Sequence, residues 1–373
     1  MLIKLEKYLL KIIAGEKKDV ISSIVLLFLS LLEKVYLLLI KFRSFLYKRG
    51  FLKSRKLDCR LISIGNISVG GTGKTPFVKF LAEEYKKRGR RVVIISRGYK
   101  SKGKEARIVY DGEKLLVEKE LISDEALMLS EKLKDVPLIL AKNRFLAGQL
   151  AIKKFAPDII LLDDGFQHWQ LKRDKDIVLI DALNPFAYKR LIPRGLLREP
   201  IEALKRANII VISKTENLSS EEKDLICFTL QEFNDKANIY YAEYKVDCLL
   251  FFHKHQGNIQ LIKKQPDYLK GKRVLAFSGI ANPESFTKTL FSCKVRDLDH
   301  ITFPDHYNYD FEDIKYIAEI SSKEKYDTII TTEKDLARLN YKMKEVLLGK
   351  SKLNVLKIEM KLIQKDSLMK EIL

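Results

Sequence analysis

Cysteine is scarce: Cys59, Cys227, Cys248 and Cys293 are spread across 373 residues, and no two form a C-x-x-C pair. That spacing offers neither a zinc site nor a disulfide framework, and it fits a reducing, cytoplasmic setting. Acidic residues are also in short supply. Forty-nine Asp and Glu face 69 Lys and Arg, for a formal net charge of +20, so a polyanion or an anionic membrane surface is the expected partner. Aromatic platforms interleaved with the basic residues are missing, which argues against nucleic acid. Internal repeats and low-complexity segments are absent as well. With 46% apolar and 32% charged residues the chain has material for a packed interior, and its length points to two domains.

A long uninterrupted apolar run is lacking too. Residues 20–32 are apolar apart from two serines, but Glu33-Lys34 breaks the stretch before Val35-Tyr36-Leu37-Leu38-Leu39-Ile40. A spanning helix needs about 20 continuous apolar residues, so the charged pair argues against a span. Leu26, Leu27, Phe28, Leu31, Leu32, Val35, Leu38 and Leu39 recur at helical spacing, and Lys41, Arg43, Lys48, Arg49, Lys53, Arg55, Lys56 and Arg60 follow. The pattern suits a helix lying in a membrane interface beside anionic headgroups. It also suits a buried core helix with a solvated basic tail. Lys17 and Lys18 precede the run, but no small-residue cleavage site follows to make it a secretory signal. The first twenty residues carry no assignment.

The chain is organised around Ser68-Val69-Gly70-Gly71-Thr72-Gly73-Lys74-Thr75, which follows the apolar run Leu61-Ile62-Ser63-Ile64 and precedes Phe77-Val78-Lys79-Phe80-Leu81-Ala82. Strand, glycine loop and helix form the context in which backbone N–H groups and a helix N-terminus wrap a nucleotide's phosphates. Lys74 is placed for the β/γ oxygens and Thr75 for Mg²⁺. Ser68 stands where the Gly-x4-Gly-Lys-Ser/Thr pattern has glycine, so the loop is a variant. Pro76 suits a first helical turn, where its missing N–H is no loss.

Short β-branched runs follow at residues 91–96, 136–140, 158–162, 176–180 and 208–212. Continuous apolar strands separated by helix-length polar segments indicate a parallel sheet covered on both faces. Ligands bind at the carboxyl ends of such strands. Arg97, Lys142, Asp163, Asp164, Asp181 and Lys214 stand there. Asp163-Asp164 can hold Mg²⁺ or its waters opposite Thr75, and it extends into Gly165-Phe166-Gln167-His168-Trp169, more than a simple nucleotide site needs. Arg194-Gly195-Leu196-Leu197-Arg198-Glu199-Pro200 is a second polar cluster, in a loop by its Gly and Pro content. Ser123 is a candidate helix cap that puts Asp124 in a first turn, a position the helix dipole favours for any acid.

Together with Ser96-Arg97-Gly98-Tyr99, Asp124-Glu125 and Phe303-Pro304-Asp305-His306, these stretches resemble the tetraacyldisaccharide 4′-kinases of lipid A synthesis, over about residues 61–361. The resemblance implies transfer of the γ-phosphoryl of ATP, with Mg²⁺, to the 4′-hydroxyl of an acylated glucosamine disaccharide 1-phosphate. It places the enzyme peripherally at the cytoplasmic face of the bacterial inner membrane and implies no protein partner. By resemblance, Asp124 paired with His306 is the base, and Lys74, Asp163, Asp164 and Arg198 complete the catalytic group. The acceptor contacts it implies are Arg97, Tyr99, Arg144, Gln167, His168 and Glu199, with Thr75 and Glu125 on the metal.

The fold class expected is α/β: a P-loop NTPase-like parallel-sheet domain, a second, smaller α/β domain and an N-terminal membrane-associated helix. The expected boundaries are an N-terminal region 1–58, the nucleotide domain 59–237, a two-stranded linker 238–270 and the smaller domain 271–373. The rival function is a membrane-anchored nucleotide switch or assembly ATPase, supported by Ser213-Lys214-Thr215-Glu216, which faintly resembles the base-reading motif of GTPases.

Overall fold

The computed structural model describes residues 2–17, 19–98, 106–118, 121–255, 258–280, 282–305 and 307–373; for residues 2–7, 124, 125, 254, 255 and 258 the description is of the backbone. The chain divides into two compact units, Met1–Tyr244 with Met360–Leu373, and Lys245–Glu359. The first opens with α1 (Leu2–Ile13) and α2 (Val20–Lys48). Asp19 starts α2 by accepting the Ser22 N–H at 2.8 Å, and Gly50, with φ of 79°, follows its last turn as left-handed glycine commonly does.

The 29 residues of α2 extend about 43 Å. By length and composition alone, α2 is long and apolar enough to cross a membrane. Helical periodicity divides it into two faces. Leu27, Phe28, Leu31, Leu38, Leu39 and Phe42 are 58–75% exposed. Tyr36, Leu37 and Ile40 pack instead against the unit's core, and Glu33 is buried.

The sheet of this unit is formed by β1 (Arg60–Asn66), β2 (Val92–Ser96), β3 (Arg107–Tyr110), β4 (Leu138–Leu140), β5 (Ile159–Asp163), β6 (Lys175–Asp181), β7 (Ile209–Ser213) and the first part of β8 (Asn238–His255). Their spatial order is β8-β7-β6-β1-β5-β2-β4-β3. The pairs from β8 to β4 are parallel. The expected parallel sheet is therefore present, with one addition: β3 runs antiparallel along β4, with a register shift between Ile108 and Tyr110. Alternate residues of a strand face opposite ways, so Ile62 and Ile64 enter one core while Leu61 enters another.

Helices α3 (Lys74–Lys87), α4 (Asp124–Lys132), α5 (Arg144–Phe155) and α6 (Ser220–Phe233) cover the two faces. Phe77, Val78, Leu81 and Tyr85 of α3 are fully buried, each burial contributing roughly 1.5–3 kcal/mol for a large apolar side chain. This packing fixes α3 on the sheet and leaves its N-terminus at the carboxyl end of β1.

The second unit holds the rest of β8 with β9 (Asn258–Lys264), an antiparallel ladder from Leu249↔Lys264 to His255↔Asn258. After it come β10 (Arg273–Ser278), α7 (Pro283–Ser292), β11 (Asp297–Thr302), α8 (Phe311–Lys323), β12 (Thr328–Thr332), α9 (Glu333–Arg338), α10 (Tyr341–Lys350) and β13 (Leu353–Leu362). The parallel order is β11-β10-β12-β13. The expected smaller domain 271–373 differs from this unit at its end, because the chain returns to the first unit within β13 and continues into α11 (Lys365–Ile372). Met360, Leu362, Leu368, Met369 and Ile372 are buried in the same core as Phe77 and Tyr85, and the Tyr85 hydroxyl donates to the Ile372 carbonyl at 2.6 Å.

Candidate active site

The loop between β1 and α3 is open toward an incoming anion. Gly70 and Gly73 have φ of 118° and 85°, values that a side chain opposes. A Cβ on Gly73 would stand 2.5 Å from the Tyr244 hydroxyl, whereas Gly70 and Gly71 face open space. Helix α3 has no side-chain cap, so its first N–H groups are left for a ligand. The back of the loop is tied down. Asn66 Nδ2 donates to Thr72 Oγ1 at 3.0 Å, and Ser213 Oγ donates to the Thr72 carbonyl at 2.9 Å.

Ser68, the departure from the glycine pattern, pairs with Leu197 in an antiparallel bridge and is not among the residues of positive φ. The main chain there does not require glycine. On either side of it, Val69 N–H donates to the Leu196 carbonyl and Arg198 N–H donates to the Ile67 carbonyl, both at 2.7 Å.

Asp163 closes β5 beside Ile64 of β1, and Ser96 Oγ donates to its Oδ2 at 3.0 Å. Asp164 adopts φ of 51° as the strand ends. Lys74 Nζ lies 3.5 Å from Asp164 Oδ1, and one guanidinium nitrogen of Arg198 takes both carboxylate oxygens, at 2.9 and 3.0 Å. Burial alone would raise the Asp164 pKa; Lys74 and Arg198, with Arg144 adding to them, hold it below the ordinary value. Burial also pulls the Lys74 ammonium down, opposed by Asp164. Three cations, Lys74, Arg198 and Arg144, act on Asp164, and Arg97 stands near Arg144 as a like charge. Such a set can neutralise the oxygens of a phosphoryl group.

A polar wall continues from Asp164. Gln167 Nε2 donates to the Asn66 carbonyl at 2.8 Å. Arg144, at the start of α5, is only 6% exposed. Arg144 Nε, Gln167 Oε1, His168 Nε2 and Trp169 Nε1 are buried without a protein hydrogen-bond partner. Each such group costs about 1–3 kcal/mol, so the fold leaves hydrogen-bonding capacity unspent in the residues next to Asp164. Trp169 itself is packed by Arg206 at 4.8 Å, Arg43 at 5.3 Å and Tyr47 at 5.5 Å.

Burial, then the positive charges of Arg144, Arg173, Arg43 and Arg97, push the His168 pKa from 6.5 down to about 4. Between those values the unfolded chain binds the proton and the folded one does not, so stability falls as pH drops through this window. His168→Gln is accordingly expected to flatten the stability profile between pH 6.5 and about 4. Urea unfolding at several pH values measures it, and an unchanged slope would contradict the neutral imidazole.

The site residues expected from sequence are thus only partly gathered. Lys74, Asp163, Asp164, Arg198, Arg144, Gln167 and His168 come together, with Thr75 in the first turn of α3 and Arg97 directly after β2. Glu199 is buried and pairs with Arg206 at 2.8 Å, so its carboxylate braces Arg206 beneath Phe166 and Trp169. Tyr99 and His306 lie outside the described residues. Asp124 opens α4 after the cap Ser123, whose Oγ accepts the Ala126 N–H at 3.4 Å. The Asp124 and Glu125 side chains lie outside the description. Among the described residues no group of three or more His, Cys, Asp or Glu forms a metal cage. The donors fit instead a hydrated Mg²⁺ taken by the Thr75 hydroxyl together with phosphate oxygens.

Two features escaped the sequence. Lys214 is ion-paired with Asp181, and Glu216 accepts the Tyr244 N–H at 3.1 Å, so the stretch that resembles a GTPase base-reading motif spends its charged groups inside the fold. Helix α2 reaches the site as well: Arg43 donates to the Gln167 carbonyl at 2.9 Å.

The family model described as tetraacyldisaccharide-1-P 4′-kinase matches residues 25–373. The chain belongs to the tetraacyldisaccharide-1-P 4′-kinase family. A curated tetraacyldisaccharide 4′-kinase of Halothermothrix orenii is 43% identical over 342 residues, 90% of this chain and 89% of that one. The tetraacyldisaccharide 4′-kinase of Aquifex aeolicus is 35% identical over 320 residues, 86% and 90% of the two chains. Among solved structures, the "apo" form of LpxK from Aquifex aeolicus in complex with ATP superposes with a TM-score of 0.69 at 33% identity, covering 91% of this chain and 96% of that one. The family match begins at residue 25, inside α2, so α1 precedes the part of the chain shared with the family.

Proposed function

We propose that this chain transfers the γ-phosphoryl of ATP to the 4′-hydroxyl of a tetraacylated glucosamine disaccharide 1-phosphate, giving lipid IV-A in lipid A synthesis. The observation that carries the reading is the convergence of Lys74 and Arg198 on Asp164 directly behind an uncapped glycine loop, in a chain of this family. Lys74 then neutralises the β/γ oxygens, and the loop N–H groups of Ser68 to Thr75 hold the phosphates. Thr75 and Glu125 would hold Mg²⁺, with Asp163 and Asp164 as further oxygen donors, and the ion would supply charge neutralisation for the phosphoryl group. Arg97, Tyr99, Arg144, Gln167 and His168 are assigned to the acceptor, and Glu199 serves it indirectly through Arg206.

Exposed apolar residues along α2 fit an amphiphilic acceptor. We assign α2 to the membrane surface, at the cytoplasmic face of the bacterial inner membrane. A helix whose Glu33, Tyr36 and Arg43 are bonded to the protein is fastened along one side, which favours lying on the bilayer over crossing it.

Arg198→Lys is expected to lower kcat about tenfold or more, since an ammonium cannot reproduce the guanidinium's spread of donors; steady-state kinetics check it, and unchanged constants would remove Arg198 from the transfer step. The function itself is tested by the product. Phosphorus NMR of the reacted lipid is expected to show a new phosphomonoester on the 4′ carbon, and a phosphate elsewhere on the sugar, or none, would overturn the reading.

A further inference from the structure

Besides Arg43, which bonds Gln167, the inner face of α2 carries Glu33 and Tyr36, and both are bonded to one turn, residues 190–198. Leu191 N–H donates to Glu33 Oε1 at 2.8 Å, Arg190 stands 3.6 Å from Glu33 Oε2, and the Tyr36 hydroxyl donates to the Arg198 carbonyl at 2.9 Å. Glu33 and Tyr36 are three residues apart, hence stacked on one side of the helix. A buried carboxylate is costly unless it is hydrogen-bonded. Glu33 meets that condition only where the turn presents its N–H.

The turn is stiff in its own right. Gly195 N–H donates to the Leu191 carbonyl at 2.8 Å, while Ile192 N–H to the Leu197 carbonyl and Leu197 N–H to the Arg190 carbonyl are both 2.9 Å. A Cβ on Gly195 would fall 2.3 Å from the Arg190 carbonyl, so the chain can close this tightly only with glycine there. Beyond the turn, the Leu196 carbonyl and the Arg198 N–H grip Val69 and Ile67 of the phosphate loop, and the Arg198 guanidinium holds Asp164. An unbroken series of hydrogen bonds therefore runs from α2 through the turn to both the loop and the acidic pair.

We propose that Glu33 and Tyr36 are positioning residues for phosphoryl transfer: the inner face of α2 sets the turn that presents Arg198, while its outer face meets the membrane. The inference rests on the kinase reading above. In this role α2 is a structural part of the active site and not only its tether, and removing its grip lets Arg198 wander from Asp164 while leaving the apolar outer face unchanged.

The test uses the full-length protein, with the acylated disaccharide 1-phosphate dispersed in detergent micelles, and compares wild type with Tyr36→Phe, Glu33→Leu and Glu33→Gln. Vesicles of phosphatidylethanolamine and phosphatidylglycerol measure membrane binding in parallel. Tyr36→Phe deletes one oxygen from a half-buried ring, so thermal melting is expected to stay close to wild type while kcat falls roughly tenfold, the effect of one ordinary hydrogen bond. The KM for ATP and the fraction bound to vesicles are expected to hold. Glu33→Gln, which keeps an oxygen for the Leu191 N–H, is expected to retain most of the kcat that Glu33→Leu loses. Wild-type kcat in both Tyr36→Phe and Glu33→Leu would overturn the inference, as would a kcat that falls only in step with vesicle binding. A wild-type protein that fails to phosphorylate the disaccharide would instead sink the kinase reading, so the two failures are distinguishable.

Discussion

Lys74→Ala is expected to cut turnover by about 10² to 10³, the usual loss when one charge-stabilising donor is removed from a transfer site, while the protein stays folded. The ammonium is 3.5 Å from Asp164, and Arg198 also holds that carboxylate, at 2.9 Å. Deleting the lysine therefore does not strand a buried acid. The side chain is aimed out of α3 toward the site, so the buried packing of Phe77, Val78, Leu81 and Tyr85 is untouched by the change. Turnover measured beside a thermal melt separates the two effects. Near-normal turnover in a folded variant would refute the assignment of the loop.

Asp124→Ala and His306→Ala are each expected to lower kcat by roughly 10² or more with ATP affinity nearly kept, because a sugar hydroxyl is a poor nucleophile until a base is positioned beside it. Ser123 caps α4 and so fixes Asp124 as its first residue, a position the helix dipole favours for an acid. It is the resemblance to the family that pairs His306 with this aspartate. If the two act as one unit, the double variant loses little beyond the worse single one, since paired catalytic groups are not additive. Single-turnover kinetics of the three variants decide it. Full additivity, or a normal kcat in His306→Ala, would leave Asp124 to work without the histidine.

What was legible in the sequence was whatever chemistry makes conspicuous. Gly70 and Gly73 announce positive φ, Lys74 follows them, and Asp163-Asp164 ends the apolar run of β5, so the loop and the acidic pair could be placed before any coordinates. The parallel sheet was legible for the same reason, since strands covered on both faces read as unbroken apolar runs. The antiparallel edge strand β3 was not, because Arg107-Ile108-Val109-Tyr110 has only two buried positions and no periodicity to reveal it. Nor was β11, none of whose positions is buried.

In the sequence Glu33 interrupts an apolar run; in the fold it is the point at which α2 is bonded to the turn carrying Arg198. A lone acid among apolar residues signals a partner, but sequence does not say which main-chain N–H supplies it. Likewise Glu199 sits in a cluster that resembles an acceptor site, yet its nearest charge is Arg206, seven residues on. The return of α11 to the first unit rests on Leu368, Met369 and Ile372, a short helical stripe that would serve any neighbouring core equally well.

The most direct measurement is ATP consumption by the full-length protein with and without the acylated glucosamine disaccharide 1-phosphate, in the presence of Mg²⁺. Turnover that depends on the lipid, saturates with it and disappears in Lys74→Ala is the expected result. Turnover indifferent to the lipid and raised by a protein partner would contradict a lipid kinase and restore the nucleotide switch.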